Sequence, residues 1–333
     1  MATIRDMMPA FDLAQPASVD EAVEQLERHG SDAWVLAGGQ DSFDWLKERT
    51  KRPEVLVDLG GIEELTGIRE RESSLEIGAM VTLTEVSRSR AIQERFGVVS
   101  EAAAKVASPQ IRNLGTLGGN LCQDVRCWYY RGGWPCYRAG GNICYAESPT
   151  ALNREHCILE ANRCVAVHPS DVAPALLVVD AEMVVRDRNG ERTLPASRFW
   201  IGPGTDITRT TVLKPGQVLT RIRIPETMAG ARFYFEKVAD RAVWDFPLMN
   251  VASAVVEEEG RIARARIAVN GAAPRPLRLT EVEHMIAGEE ASEELARAAG
   301  ERAIRDARPL RHNDYKVALM RNLVKRAVLG EGP

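Results

Sequence analysis

Gly115-Thr-Leu-Gly-Gly-Asn120 is the stretch on which the reading of this chain turns. A glycine pair behind an apolar segment lets backbone approach a ligand closely and aim several N–H groups at it, as a phosphate-binding turn does. A second pair, Leu36-Ala-Gly-Gly-Gln-Asp41, has the same layout, with the apolar strand Trp34-Val-Leu-Ala37 feeding two glycines and a polar residue. One such turn says little, because most Gly-Gly pairs are only tight turns. Two of them, far apart in sequence, are suited to clasp one pyrophosphate from two sides. Neither matches G-x-G-x-x-G, so the dinucleotide site of a doubly wound sheet is not supported.

The first glycine stretch runs into a cysteine-bearing segment. All six cysteines lie there, at Cys122, Cys127, Cys136, Cys144, Cys157 and Cys164. Scattered core cysteines would not cluster this way. A loop-like segment that offers at least four thiols is a ligand set for a soft metal centre. The gaps between successive cysteines are four, eight, seven, twelve and six residues, with no C-x2-C knuckle of the zinc type. Wide, irregular spacing suits the spread corners of an iron–sulfur cubane better than a single zinc ion, although both metals stay open at this point. His156 is a possible imidazole partner; a satisfied core histidine is the commoner case.

The length of 333 residues allows two or three domains. Hydrophobic content of 45% and charged content of 27% are those of a globular protein with a real core. A net charge of −4 gives no general affinity for nucleic acid or anionic membrane. The first eight residues, Met1-Ala-Thr-Ile-Arg-Asp-Met-Met8, contain no apolar secretory region, and no run is long enough for a membrane span. The expected address is therefore cytoplasmic, with export on a partner's signal left open. That compartment disfavours a disulfide framework for the cysteines.

Capping and periodicity predict a helix from Ser18 to Gly30, strands over 54–58 and 74–79, and helices over 84–95 and 98–106. A strand over 164–168, a helix over 172–177 and strands over 181–186 and 218–224 follow. Beyond Pro225 a second unit begins near Ala231, with strands over 232–237, 251–257 and 263–269 and closing helices over 292–306 and 313–329. The pattern is α+β in both halves.

Four motifs in order, the two glycine stretches with Ser108-Pro-Gln-Ile-Arg-Asn113 and His168-Pro-Ser-Asp-Val-Ala-Pro174, resemble the FAD-binding medium subunits of the molybdenum hydroxylases. That family includes xanthine dehydrogenase, carbon monoxide dehydrogenase, 4-hydroxybenzoyl-CoA reductase and bacterial aldehyde oxidoreductases. The resemblance implies a two-lobed, vanillyl-alcohol-oxidase-like (PCMH-type) α+β FAD-binding domain over residues 1–226. Its lobes would cover about 1–58 and 59–226, with an iron–sulfur insertion at about 122–164. A smaller C-terminal α+β domain of the CO-dehydrogenase-flavoprotein type would cover 230–330.

The same resemblance assigns the pyrophosphate to Ala37, Gly38, Gly39, Gln40, Asp41 and Ser42 on one side. Gly115, Thr116, Gly118, Gly119 and Asn120 face it from the other, with Ile111 and Asn113 just before them. Ser170 and Asp171 would meet the ribityl or adenosine portion of FAD. Lys237 would lie on a strand near the flavin ring, or else be a solvated lysine at a strand end. Many members have Thr where Gln40 stands; the amide can still donate a hydrogen bond.

The cysteine segment resembles the 4Fe–4S insertion of a subgroup that includes the 4-hydroxybenzoyl-CoA reductase β subunit. On that pattern Cys127, Cys136, Cys144 and Cys164 are the ligands, with Cys122 as the alternative to Cys127. Cys157 is read as a small buried hydrophobe. The aromatic run Trp128-Tyr-Tyr-Arg-Gly-Gly-Trp134 would shield the cluster from water or dock the insertion. The implied function is electron transfer within a heterotrimer. A large molybdopterin subunit would hold the substrate, a small subunit would hold 2Fe–2S clusters, and ferredoxin or another carrier would meet the 4Fe–4S cluster. No residue of this chain need act as a catalytic acid or base. Two rivals are a stand-alone flavin oxidoreductase of this fold and a zinc-stabilised binding module.

Overall fold

A computed structural model describes residues 8–331; the part of the N-terminal stretch up to residue 7, read above as lacking a secretory region, lies outside the described residues. The first lobe is a small parallel sheet of β1 (Asp12–Ala14), β2 (Ala33–Leu36) and β3 (Val55–Asp58), in the order β1-β3-β2. The helix Val19–His29 connects β1 to β2. The Ser18 side chain accepts the Glu21 N–H, and the Glu21 carboxylate accepts the Ala17 N–H at 2.8 Å. Its buried stripe of Val19, Ala22, Val23 and Leu26 packs on Val55 and Val57. This is the period of 3.6 meeting the period of 2 across one small core.

The second lobe is an antiparallel sheet of β4 (Ile68–Arg71), β5 (Ser74–Gly78), β6 (Glu182–Asp187), β7 (Gly190–Pro195) and β8 (Val218–Pro225), in the order β4-β5-β8-β6-β7. Short helices lie with it, among them Leu83–Arg88, Arg90–Arg95, Gly97–Ala104, Pro109–Leu114, Leu117–Cys122 and Val172–Val178. The helix expected over 84–95 is two. Ser89 ends the first, and its hydroxyl accepts the Ile92 N–H of the next at 3.4 Å. A serine that can bond the following backbone competes with helix continuation.

The C-terminal unit is an antiparallel sheet of β9 (Arg232–Val238), β10 (Met249–Glu258), β11 (Arg261–Asn270) and β12 (Leu277–Arg278), in the order β12-β11-β10-β9. Helices Thr280–Ile286, Glu293–Ala303 and Tyr315–Leu329 accompany it. The helix Val172–Val178 is buried on every side. One apolar core reaches from Leu75 and Ile77 of β5, through this helix, to Phe235, Ala252, Ala254 and Ala268 of the C-terminal unit.

Residues 122–164 hold little regular structure beyond the single turns Trp128–Arg131, Tyr137–Ala139 and Tyr145–Glu147. The strand expected over 164–168 is not formed; Cys164 makes only an isolated bridge to Asn162. The short apolar run that suggested it, Val165-Ala-Val167, has another cause. Val165 and Val167 face one apolar cluster, with Cys157, and Ala166 faces another, with Trp45 and Tyr130.

Candidate functional site

A cavity of about 470 Å³ opens between the lobes and the C-terminal unit. Ala37, Gln40, Asp41 and Ser42 line it from the first lobe. Ile111, Gly115, Thr116, Gly118, Gly119, Asn120 and Asp171 line it from the second. The glycines make this meeting possible. Gly38 and Gly39 both take left-handed backbone, with φ of +73° and +74°, and a Cβ on Gly38 would stand 2.2 Å from the Leu114 carbonyl oxygen. A Cβ on Gly118 would press on Ala79 at 2.9 Å, and one on Gly119 would lie 3.0 Å from the Ala37 oxygen. The two glycine segments therefore touch across a gap that admits no side chain. The second pair is not a turn, as the sequence suggested. It lies in the helix Leu117–Cys122, where the Thr116 hydroxyl accepts the Gly119 N–H at 3.1 Å.

Neighbouring polar groups are held firmly. Asp41 pairs with Arg126 at 2.7 Å and accepts from Trp45 Nε1 and the Asp124 N–H. Burial raises its carboxyl above the usual range in spite of Arg126. The Ser42 hydroxyl accepts from Trp34 Nε1 at 2.9 Å. Ser170 donates to Asn120 Oδ1 at 2.6 Å, which steadies the Asn120 side chain at the cavity wall. Asp171 is bound by Lys237 at 2.7 Å and by Asn250 Nδ2 at 3.0 Å, and burial pushes its carboxyl up to about 6.

Five of the expected residues, Gly38, Gly39, Asn113, Ser170 and Lys237, are not part of the lining. Asn113 Oδ1 is taken by the Thr84 hydroxyl at 2.7 Å. Lys237 is neither a solvated lysine nor a free cation for a ring. Its side chain is 8% exposed, and its ammonium donates to Asp171, to the Lys105 oxygen and to the Asp245 oxygen. All three of its protons are committed, so it supports the wall through Asp171. Sequence reasoning missed Trp34, Arg126, Trp244 and Phe246, which also line the cavity. Arg126 stacks on Phe246 with its guanidinium carbon 4.5 Å from the ring centre. The aromatic pair in Trp244-Asp-Phe246 was a visible signal, but it belongs to a unit whose contact with the first lobe no local pattern shows.

The cysteines divide between two places. Cys127, Cys136, Cys144 and Cys164 line one small void of about 10 Å³ next to the main cavity, together with Tyr130, Arg138 and Arg163. Cys122 lines the main cavity instead. Cys157 is 1% exposed and packs with Ala146 and Val165. Backbone N–H groups of Tyr129 and Tyr130 reach the Cys127 sulfur, those of Ala146, Glu147 and Val165 reach Cys144, and that of Ala166 reaches Cys164. Burial raises Cys122 and Cys127 to about 12 and lifts Cys144 and Cys164 as well. Among the described residues no three His, Cys, Asp or Glu side chains close on a point as the ligands of one ion do.

Two lobes that bring glycine segments together beside a cavity leave room for a bound cofactor, and the sequence relationships give the class, a FAD-binding oxidoreductase subunit. Residues 9–227 match the FAD binding domain in molybdopterin dehydrogenase, and residues 234–330 match the CO dehydrogenase flavoprotein C-terminal domain. The chain is 32% identical to the carbon monoxide dehydrogenase medium chain of Hydrogenophaga pseudoflava over 96% of each chain. It is 30% identical to the aldehyde oxidoreductase FAD-binding subunit of Escherichia coli K12, over 97% of this chain and 98% of that one. A solved structure of the Hydrogenophaga pseudoflava carbon monoxide dehydrogenase, lacking the Mo-pyranopterin moiety, superposes with a TM-score of 0.78 at 30% identity, over 97% of this chain and 98% of that one. The chain belongs to the FAD-binding medium subunits of the molybdenum hydroxylases. Among the described residues no helix is long and apolar enough to cross a membrane.

Proposed function

We propose that this chain is the flavin and iron–sulfur subunit of a heterotrimeric molybdenum hydroxylase. In this reading it relays electrons between 2Fe–2S clusters on a small subunit, its own FAD, and an external one-electron carrier such as ferredoxin that meets a 4Fe–4S cluster. Substrate reacts on a large molybdopterin subunit, so none of this chain's residues serves as a substrate acid or base.

FAD supplies the exchange of one or two electrons that couples single-electron centres to a two-electron reaction. The chain's part is to bind and orient it. The backbone of Ala37 to Ser42 and of Gly115 to Asn120 would hold the pyrophosphate, Ile111 would pack beside it, and Asp171 would accept from a hydroxyl of the ribityl or adenosine portion. Gly38, Gly39, Asn113, Ser170 and Lys237 are outside the lining and would act indirectly: Ser170 and Lys237 through their bonds to Asn120 and Asp171, Asn113 through its bond to Thr84, and the two glycines through the close backbone approach they allow. The missing Cβ atoms at the glycines support this reading, because the cradle is one that any side chain would fill.

The observation that carries the iron–sulfur part is the grouping of Cys127, Cys136, Cys144 and Cys164 around one void, with Cys122 and Cys157 elsewhere. Backbone N–H groups directed at three of those sulfurs suit metal-bound thiolates, which accept and do not donate. The void is smaller than a cubane, so the four side chains would swing outward to admit one. The test is anaerobic purification with partner subunits, followed by metal and flavin analysis of this subunit. About four irons per FAD, with broad absorbance near 400 nm beneath the flavin bands, is the expected result. Flavin without iron would leave a plain flavin subunit, and zinc without flavin would sink the redox assignment altogether.

A further inference from the structure

We infer that Asn120 is a one-way donor to the bound FAD: Ser170 holds its amide oxygen, so that Nδ2 is left for the cavity, and His168 positions Ser170 for this task. The inference rests on the flavin reading above and is independent of the cysteines. Ser170 is 0% exposed, and its Oγ accepts the Ala173 N–H at 3.1 Å. A buried hydroxyl must also place its own proton. Among the described residues its acceptor is Asn120 Oδ1, at 2.6 Å. That separation is usual for an O–H donor and short for an amide N–H. With the amide flipped, Nδ2 would face Ser170, and the Ser170 proton would be buried without an acceptor. The network therefore fixes the amide one way round. Oδ1 is occupied, and Nδ2 is left for the cavity that Asn120 lines. FAD suits this donor, because its pyrophosphate offers acceptors and, at neutral pH, no competing donor.

Ser170 is itself clamped at both ends of its backbone. Its N–H donates to His168 Nδ1 at 3.3 Å, and its carbonyl accepts from Asn270 Nδ2 at 2.7 Å. His168 and Asn270 are both 0% exposed. Burial pushes the His168 ring down to about 3, so it is neutral at physiological pH. An Nδ1 that accepts is bare, and the one ring proton then sits on Nε2. Nε2 is buried and, among the described residues, has no hydrogen-bond partner. An apolar side chain of similar size would avoid that cost. What the imidazole supplies, and an apolar residue could not, is the acceptor at Nδ1. Ser170 and His168 are positioning residues, since both act on the cofactor through Asn120.

The test is the rate at which FAD leaves the purified complex, followed by the rise of flavin fluorescence after dilution. Asn120→Ala should release FAD about tenfold faster, the size expected for one lost hydrogen bond. Ser170→Ala should do nearly the same in the wild-type background. It should add almost nothing to Asn120→Ala, because it acts through that amide. A serine that matters only as the acceptor of the Ala173 N–H would speed release by the same factor in both backgrounds, and that result overturns the inference. His168→Asn can place an oxygen near the position of Nδ1 and should stay close to the wild-type rate, whereas His168→Leu should match Ser170→Ala. A His168→Leu complex that releases FAD as slowly as wild type removes His168 from the network. If His168→Leu does not fold, the cycle of Ser170 and Asn120 variants decides. Asn120→Ala indistinguishable from wild type overturns the donor itself. A wild-type complex purified without FAD overturns the flavin reading and this inference together.

Discussion

Cys122 and Cys127 are near neighbours in sequence, yet they face different cavities. Spacing could not separate them, because either thiol is close enough along the chain to join the other three. The intervening Gln123-Asp-Val-Arg126 makes the difference. Asp124 is tied to Arg138 at 2.5 Å and Arg126 to Asp41 at 2.7 Å, so the backbone turns between the two sulfurs. Cys127→Ser should therefore lose most of the iron measured per chain, while Cys122→Ser keeps it. Equal loss in both variants would return Cys122 to the ligand set. Asp171 gives a second prediction at this scale. Burial lifts its carboxyl from 3.8 to about 6, and the pull of Lys237 and Asn250 does not cancel that. A carboxyl whose pKa is higher in the folded chain than in the unfolded one favours folding most below 3.8, and that contribution is lost as pH rises through about 6. In urea unfolding across this range, wild type should lose stability relative to Asp171→Asn as pH rises, and the difference should level off above roughly pH 7. A difference that stays constant from pH 4 upward would mean that Asp171 is ionised throughout.

At the scale of elements, legibility followed the locality of the forces. The helix after Ser18 and the helix after Ser292 carry their own caps, with each serine hydroxyl accepting a backbone N–H three residues on, so sequence located both starts. Strand β8 alternates because only one face meets the core, and it too was readable. The short apolar run at 164–168 misled, because it serves two separate clusters rather than two faces of a sheet. The glycine segments were legible as a close approach of backbone, but what they approach first is each other, and only the fold brings Ala37 to Gly119. Lys237 was placed on the right strand; two of its three acceptors, Lys105 and Asp171, come from distant segments, which no local pattern contains. The cysteine segment depends on the same kind of distant support. Asn313 Nδ2 is shared by the carbonyls of His156 and Cys157, and its Oδ1 accepts the Leu310 N–H at 2.6 Å. Asn313→Ala would leave those buried groups unsatisfied, at a cost of about 2–3 kcal/mol in unfolding free energy. Denaturant titration checks this, and a loss below about 0.5 kcal/mol would mean that water or a shifted loop replaces the amide.

At the scale of the whole molecule, the two family regions meet in a seam that is itself part of the core. Phe235, Ala252, Ala254 and Ala268 of the C-terminal sheet are buried in the same cluster as Leu176 and Ile222 of the second lobe. Polar contacts cross at the same place. Asn250 and Lys237 bind Asp171, Asn270 donates to the Ser170 oxygen, and Arg266 and Arg278 both pair with Asp180. Interfaces between domains that move are usually more polar and less continuous than a domain interior. Here the helix Val172–Val178, buried on every side, would expose apolar surface on whichever face lost its neighbour. The cavity wall at Asp171 would lose its lysine in the same event, and the cysteine segment would lose Asn313 and Lys316. The lobes, the cysteine segment and the C-terminal unit should therefore unfold together. Differential scanning calorimetry of the full chain should give one transition whose calorimetric and van't Hoff enthalpies agree, in spite of the two family regions. Two resolved transitions, with the lower one releasing flavin and leaving the C-terminal unit folded, would show that the seam is weaker than its burial implies.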